Sequence, residues 1–266
     1  MKKYGLIGYP LSHSFSKKFF TDKFREENIE DTQYDLYPLE NIKELLPLLE
    51  RTPDLCGLNV TIPYKVEVME LLDWRSTEAK QIGAVNCLRI ANQSPVTTVF
   101  TGEVGFKDDH FRIEGFNTDA YGFEESLKPL LKSQHERAMI LGDGGAAQAV
   151  KYVLQTMGMP YMIVARKPGE NRVLFDELTA EHVQSHKLII NTTPLGTSPN
   201  IDACPPIPYE AIGDEHLLYD LVYNPEVTLF LQKGQEQGAT IKNGYEMLVL
   251  QAEKSWEIWN SKAVHI

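Results

Sequence analysis

The sequence predicts an α/β protein built of two open α/β domains, the first with a mainly parallel sheet. Short apolar strands alternate with helical segments in both halves of the chain, a pattern typical of parallel sheets joined by crossover helices. In the second half a glycine-rich turn at 142–145 joins an apolar strand to a helix, which favours a Rossmann-type domain there. At 266 residues the chain is long enough for both domains.

The first half of the chain carries three strand–helix pairs. Phe15, Phe19, Phe20 and Phe24 recur at helical spacing and mark the first helix. Strands are predicted at 4–9, 33–39 and 55–61, and helices at 14–28, 42–49 and 65–72. Segment 92–115 has alternating residues at Val96, Thr98 and Phe100, followed by turn residues such as Gly102 and Gly105, which favours a β-hairpin or an extended excursion.

The second half repeats the pattern. Strands are predicted at 137–141, 161–165, 187–191 and 217–221, and helices at 146–157 and 245–260. The last helix places apolar residues, including Trp256 and Trp259, on one face, so it needs a broad apolar partner.

The composition narrows the class of protein. With 42% hydrophobic and 24% charged residues, the chain is typical of a globular protein. Its formal charge of −11 argues against nucleic acid or an anionic membrane as a partner. No apolar run approaches the roughly 20 residues needed to span a bilayer, so we expect a cytoplasmic protein. Three cysteines without a C-x-x-C pair argue against a disulfide framework or a metal site.

The glycine-rich turn predicts a dinucleotide site, with a purely structural turn as the alternative. Gly142 permits the tight turn, and Gly144 and Gly145 let the backbone approach a diphosphate. The helix that begins near Ala146 directs its N–H groups at the anion. Asp143 adds a negative charge at this place, which we expect to weaken the affinity for the cofactor.

Two cations after the next strand indicate which dinucleotide binds. An acidic residue here would hold a ribose hydroxyl, whereas an arginine favours the 2′-phosphate of NADP. Arg166 and Lys167 occupy this place, so NADP is predicted, with two solvated loop cations as the alternative. The loop at 191–196, which contains Thr192, suits contact with the middle of the cofactor.

Two further sites carry candidate chemistry in the first half. Lys65 follows a predicted buried strand, where a partly desolvated lysine can act as an acid or base; an ordinary surface lysine is the alternative. Ser14 and Ser16 begin a helix, where hydroxyls and unpaired N–H groups suit a carboxylate; simple helix capping is the alternative.

Taken together, the motifs resemble the shikimate dehydrogenase family, in order along nearly the whole chain. The matching segments are the serine pair, Asn-Val-Thr-x-Pro-x-Lys at 59–65, Gly-Ala-Val-Asn at 83–86, Asn-Thr-Asp at 117–119, the glycine turn, Asn-Thr-Thr-Pro-Leu-Gly at 191–196, Tyr-Asn-Pro at 223–225, and Leu-Val-x-Gln-Ala at 248–252.

The resemblance implies NADP-linked interconversion of 3-dehydroshikimate and shikimate in aromatic amino-acid biosynthesis. It implies that Lys65 and Asp119 form the catalytic pair. The substrate residues it implies are Ser14, Ser16, Asn59, Thr61, Asn86, Tyr223 and Gln251. The cofactor residues are Gly142, Asp143, Gly144, Gly145, Ala146, Arg166, Lys167, Thr192, Leu221 and Gly244.

The resemblance also implies a substrate domain at 1–118 plus 243–266 and an NADP domain at 119–242. The last helix would then return to the first domain. We expect a monomer or homodimer. Two alternatives stay open: a quinate/shikimate dehydrogenase that uses NAD, and a catalytically silent sensor of shikimate-type ligands. Asp143 departs from the usual alanine of the family, and Lys17 and Cys87 depart from the usual proline and threonine.

Overall fold

The computed structural model describes residues 1–11, 14–92 and 111–261. The chain divides into two compact units. The first unit comprises Met1–Thr118 with Ala252–Ile266, and the second comprises Asp119–Gln251. Within the described ranges, no helix is long and apolar enough to cross a membrane.

The first unit is built on a six-stranded sheet. Its strands are β1 (Lys2–Gly8), β2 (Thr32–Pro38), β3 (Leu55–Val60), β4 (Trp74–Arg75), β5 (Cys87–Asn92) and β6 (Phe111–Phe116). Its helices are α1 (Phe15–Glu26), α2 (Leu45–Arg51) and α3 (Thr77–Ile82), with 3₁₀ turns at Ile42–Glu44 and Glu67–Leu71.

The strand order of this sheet is β2-β1-β3-β5-β6-β4. The pairs β1·β2, β1·β3 and β4·β6 are parallel, and β5 is antiparallel to both β3 and β6. Because β1 and β3 are parallel neighbours, the residues that follow these two strands meet at one edge of the sheet.

An aromatic cluster fills one face of this sheet. Tyr4 stacks on Trp259 at 4.9 Å between ring centroids, and Phe20 stacks on Tyr34 at 4.6 Å. The Trp259 indole donates to the carbonyl of Leu88 at 2.9 Å. The end of the last helix, α8 (Tyr245–Asn260), is therefore part of the core of the first unit.

The second unit is a fully parallel sheet. Its strands are β7 (Ala138–Leu141), β8 (Tyr161–Ala165), β9 (Arg172–Leu174), β10 (Leu188–Asn191), β11 (Leu217–Asp220) and β12 (Thr240–Lys242). Its helices before α8 are α4 (Asp119–Leu127), α5 (Gly145–Thr156), α6 (Ala180–Ser185) and α7 (Leu229–Glu236).

The strand order of this second sheet is β12-β11-β10-β7-β8-β9. The direction of winding reverses between β7 and β10, as it does at the centre of the dinucleotide-binding fold. The central strands β7 and β10 are buried along their whole length. The predicted fold class is confirmed, and the carboxyl ends of β7 and β10 are the expected place for a ligand.

Three predicted elements differ from the structure or lie outside it. The helix predicted at 65–72 is a turn followed by a 3₁₀ helix at Glu67–Leu71, because Pro63 and exposed Val66 leave no apolar stripe to bury a longer one. The helix predicted at 42–49 begins with a 3₁₀ turn capped by Asn41. Of segment 92–115, the ends form the antiparallel pair β5–β6, and residues 93–110 lie outside the described residues.

Candidate active site

A cavity of about 590 Å³ lies at the reversal point of the second sheet, and we call it the switch-point cavity. The loops that follow β7, β8 and β10 form it. Its lining residues are Gly142, Asp143, Gly144, Ala165, Arg166, Lys167, Arg172, Phe175, Thr192, Thr193, Pro194, Leu195 and Pro206.

The glycine turn forms one part of the cavity lining. Gly142 has φ +102°, and a side chain there would stand 2.9 Å from the Thr192 hydroxyl, so both the backbone and the space require glycine. Helix α5 begins at Gly145, and its cap residue Gly144 offers no side-chain acceptor to the first N–H groups. These N–H groups suit an anionic ligand.

Six of the ten predicted cofactor residues line the cavity: Gly142, Asp143, Gly144, Arg166, Lys167 and Thr192. The other four, Gly145, Ala146, Leu221 and Gly244, are outside the described lining, and their contact with a cofactor stays a prediction. Gly244 is packed so closely against Leu221 that an added Cβ would lie 2.2 Å from its carbonyl oxygen.

Asp143 is not an isolated negative charge beside the glycines. Its side chain is 9% exposed, its Oδ1 lies 2.7 Å from Lys151 Nζ, and its Oδ2 pairs with the Arg172 guanidinium. The sequence indicates neither cation, because no local motif places Lys151 of α5, or Arg172 at the start of a three-residue strand, beside the glycine turn. Two positive charges therefore offset the carboxylate that we expected to weaken cofactor binding.

A buried carboxylate fixes the loop after β10, which forms part of the cavity wall. Asp220 is fully buried and accepts hydrogen bonds from Asn191 Nδ2 at 2.9 Å, Thr228 Oγ1 at 2.5 Å and the Val222 N–H at 3.0 Å. Asn191 Oδ1 in turn accepts from the hydroxyl and N–H of Thr193, which lines the cavity. Burial raises the pKa of Asp220 to about 6, although these hydrogen bonds act in the opposite direction.

In the first unit, Lys65 lies in the turn that follows β3. Its side chain is half-buried, and its carbonyl accepts from the Val85 N–H at 2.7 Å. The preceding Tyr64 is buried and donates to the carbonyl of Leu39 at 2.6 Å. The backbone that carries the lysine is therefore fixed on both sides, while Thr61 is tied to β1 through its N–H and the Ile7 carbonyl.

The two predicted serines occupy different positions at the start of α1. Ser14 is the N-cap, and its hydroxyl accepts from the Lys17 N–H at 3.3 Å, so the capping alternative is realised for this residue. Burial raises the pKa of the Tyr34 phenol well above its usual value, and the neighbouring Ser16 hydroxyl acts in the opposite direction.

Tyr34 is the first of five neutral side chains of the first unit that are connected by hydrogen bonds, and we call this set the amide–hydroxyl network. Tyr34 donates to Asn59 Oδ1 at 2.9 Å, and Asn59 Nδ2 donates to the Ser255 hydroxyl at 3.0 Å. The Ser255 and Thr118 hydroxyls are 3.2 Å apart. Asn86 closes the network, since Oδ1 accepts from the Thr118 N–H at 2.7 Å and Nδ2 donates to its hydroxyl at 3.0 Å.

This network connects residues that the sequence separates widely. All five side chains are at most 4% exposed. Asn59 and Asn86 were predicted as substrate residues, but Tyr34, Thr118 and Ser255 were not. The oxygen and the nitrogen of the Asn59 side chain both form hydrogen bonds to other side chains of the unit. A direct contact between Asn59 and a substrate therefore stays a prediction.

The remaining predicted residues belong to the second unit. Asp119 is the first residue of α4 and is partly exposed. Tyr223 is 39% exposed, and burial of the rest raises the pKa of its phenol. Gln251 is 6% exposed, lies on α8, and donates to the carbonyl of Leu248 at 2.9 Å.

Comparisons with known proteins agree with the fold and the motifs. Residues 6–88 match the model of the shikimate dehydrogenase substrate binding domain. The shikimate dehydrogenase (NADP(+)) of Clostridium beijerinckii is 38% identical over 97% of this chain and 92% of that protein. The corresponding protein of Carboxydothermus hydrogenoformans is 33% identical over 96% of this chain and 90% of its own length.

Solved structures give the same result. A shikimate 5-dehydrogenase from Thermus thermophilus, in complex with NADP(H) and shikimate, has a TM-score of 0.79 at 28% identity and covers 98% of this chain and 94% of that one. A chorismate mutase/shikimate 5-dehydrogenase fusion protein from Clostridium acetobutylicum has a TM-score of 0.80 at 34% identity and covers 100% of this chain and 92% of that one. The chain belongs to the shikimate dehydrogenase family.

Proposed function

We propose that the chain catalyses the reversible NADPH-dependent reduction of 3-dehydroshikimate to shikimate in aromatic amino-acid biosynthesis. The observation that carries this proposal is the switch-point cavity, which joins a glycine turn to cationic walls in a chain of this family. Relatives named for NADP and shikimate support both the cofactor and the substrate.

The residues of the second unit fit NADP. The backbone at Gly142 and Gly144, with the N–H groups at the start of α5, would hold the diphosphate. Arg166 and Lys167 are exposed on the cavity wall, where they would meet the 2′-phosphate. When bound, NADPH supplies the hydride that reduces the ketone.

We assign the proton to Lys65. Reduction builds negative charge on the carbonyl oxygen, and an ammonium group can stabilise that charge and donate the proton that completes the hydroxyl. In the oxidation direction the neutral amine takes the same proton back. Asp119 is proposed as the second catalytic residue.

The substrate residues follow the same assignment. Ser14 and Ser16 would bind the ring carboxylate, and Thr61, Asn86 and Gln251 would bind ring hydroxyls. Asn59 and Tyr223 complete the proposed set. The first unit would thus serve as the substrate domain and the second as the NADP domain. All three cysteines, Cys56, Cys87 and Cys204, are unpaired, which favours a cytoplasmic enzyme, and we propose a monomer or homodimer.

Steady-state kinetics with shikimate and quinate, each with NADP and NAD, tests the proposal. We expect the highest kcat/KM for shikimate with NADP. A preference for quinate with NAD would support the alternative dehydrogenase and contradict this one. A silent sensor would bind shikimate in calorimetry without turnover in any of the four combinations.

A further inference from the structure

A three-residue ion cluster borders the switch-point cavity. It consists of Asp143 in the glycine turn, Lys151 on α5 and Arg172 at the start of β9. Their side chains are 9%, 17% and 33% exposed, so Arg172 is the member with most access to solvent. Asp143 and Arg172 line the cavity.

Arg172 enters the cavity from a place that the glycine-turn motif does not predict. It begins the edge strand β9, where it pairs with Ile163 of β8. The loop that joins these strands carries Arg166 and Lys167, so three cations share one wall of the cavity. The ion pair with Asp143 ties the guanidinium to the glycine turn itself.

The charges of this wall suit a phosphate group. Three cations and one carboxylate line the cavity, and the carboxylate is matched by Lys151 as well as by Arg172. A phosphate monoester carries about −1.5 to −2 charges at neutral pH. An arginine has five N–H donors in a planar fork, so one that holds a carboxylate through Nη2 has further donors for a second anion.

We propose that Arg172 is a further determinant of the cofactor specificity of this chain, that it binds the phosphate that distinguishes NADP from NAD together with Arg166 and Lys167, and that Asp143 is the positioning residue that holds Arg172 there. The proposal rests on the proposed function, because it assumes that the switch-point cavity takes a dinucleotide. Asp143 then assists NADP binding, the opposite of the effect we expected from its charge alone.

Gly169 provides a way to move Arg172 without changing any charge. A Cβ built on Gly169 would lie 2.8 Å from Arg172 Nη1 and 2.9 Å from its Cδ, so Gly169→Ala must displace that flexible side chain. Gly213, in the same unit, has nothing within 4 Å of an added Cβ. Gly213→Ala is therefore the matched control.

The test is calorimetric titration of the full chain with two probes, adenosine 2′,5′-bisphosphate and adenosine 5′-monophosphate. The probes differ only in the 2′-phosphate, and neither requires turnover. We expect Arg172→Ala to weaken the bisphosphate about 10–100-fold, the range for hydrogen bonds to a charged group, and to leave the monophosphate within about threefold. Arg137→Ala, which removes an exposed arginine outside the described lining, should change neither.

The other variants separate positioning from charge. Gly169→Ala and Asp143→Asn should each weaken the bisphosphate selectively, by about 3–10-fold, and in the Asp143→Asn background Arg172→Ala should cost less than alone. Tighter bisphosphate binding by Asp143→Asn would overturn the positioning role. Equal loss of both probes in Arg172→Ala, or no loss, would overturn the specificity role.

The outcome for the unmodified chain distinguishes this proposal from the proposed function. If the unmodified chain prefers the bisphosphate and Arg172→Ala retains that preference, the role of Arg172 is wrong and the NADP assignment stands. If the unmodified chain shows no preference between the probes, the NADP assignment itself is wrong, and the proposal falls with it.

Discussion

The two units fix their candidate functional side chains by opposite means. In the first unit the amide–hydroxyl network is neutral and at most 4% exposed, and its hydrogen bonds orient Asn86. In the second unit the wall of the switch-point cavity is ionic and partly exposed. Neutral hydrogen bonds fix direction without a strong field, whereas ion pairs attract a charged ligand and respond to salt and pH. A ring with several hydroxyls needs the first property, and a phosphorylated cofactor needs the second.

The largest expected effect comes from Lys65, which belongs to the first unit. Lys65→Ala should lower kcat by about 10²–10⁴-fold, because the proposed proton donor for the developing hydroxyl is lost. The KM for shikimate should change much less. Steady-state kinetics measures both constants, with Lys80→Ala, an exposed lysine of α3, as the control. Near-normal turnover of Lys65→Ala would remove this residue from the mechanism.

Asn59 tests the neutral network. Asn59→Leu keeps the number and branching of the side-chain heavy atoms but leaves the Tyr34 and Ser255 hydroxyls without their amide partner. We expect the free energy of unfolding to fall by about 1–3 kcal/mol, because two buried hydroxyls lose their hydrogen bonds to this amide. All three tryptophans, Trp74, Trp256 and Trp259, belong to the first unit, so their fluorescence during urea unfolding reports on it.

The matched control for this change is Gln81→Leu on the exposed side of α3, which should shift the free energy of unfolding by less than about 0.5 kcal/mol. If Asn59→Leu were no more destabilising than this control, the network would not stabilise the first unit. Its proposed role in orienting Asn86 would then lose its physical basis.

The pH dependence of stability tests the raised pKa of Asp220 in the second unit. Its pKa rises from an ordinary value near 3.8 to about 6 in the fold, so the folded state binds more protons than the unfolded state between these values. Its contribution to stability is complete below the unfolded pKa and is lost as the pH rises through the folded pKa. We expect this loss to be on the order of 2 kcal/mol.

Urea unfolding followed by circular dichroism, repeated at several pH values from about 4 to about 7, measures this dependence. The Asp220→Asn variant should lack the fall in stability that Asp220 causes over this interval, whatever its stability at the lowest pH. The same slope in both proteins would contradict a raised pKa for this carboxyl.

The sequence predicted local features well and long-range contacts poorly. Helix α8 was predicted at 245–260 and extends over Tyr245–Asn260. A long stripe of apolar residues at helical spacing indicates a helix and no other element. The glycine turn was found for the same reason. By contrast, Ser255 bonds Asn59 across 196 positions, and Arg172 meets Asp143 from a three-residue strand. Such pairs depend on how strands are ordered in the sheets, which no local pattern encodes. The fold was therefore predictable, and the partners of the site residues were not.

The smallest expected effect is the response of cofactor preference to salt, and it tests the charged wall of the switch-point cavity. Raising ionic strength from about 0.01 M to about 1 M shortens the Debye length from about 30 Å to about 3 Å. Arg166, Lys167 and Arg172 are all exposed residues, so their longer-range attraction for a 2′-phosphate is screened, whereas direct hydrogen bonds from these cations to the phosphate are screened less. We expect the ratio of the dissociation constants of NADH and NADPH to fall by about three- to tenfold over this range and to stay above one. Fluorescence titration with both cofactors measures it. A ratio that does not depend on salt would show that these cations do not attract the phosphate, and a ratio that falls to one would show that none of them donates a direct hydrogen bond to it.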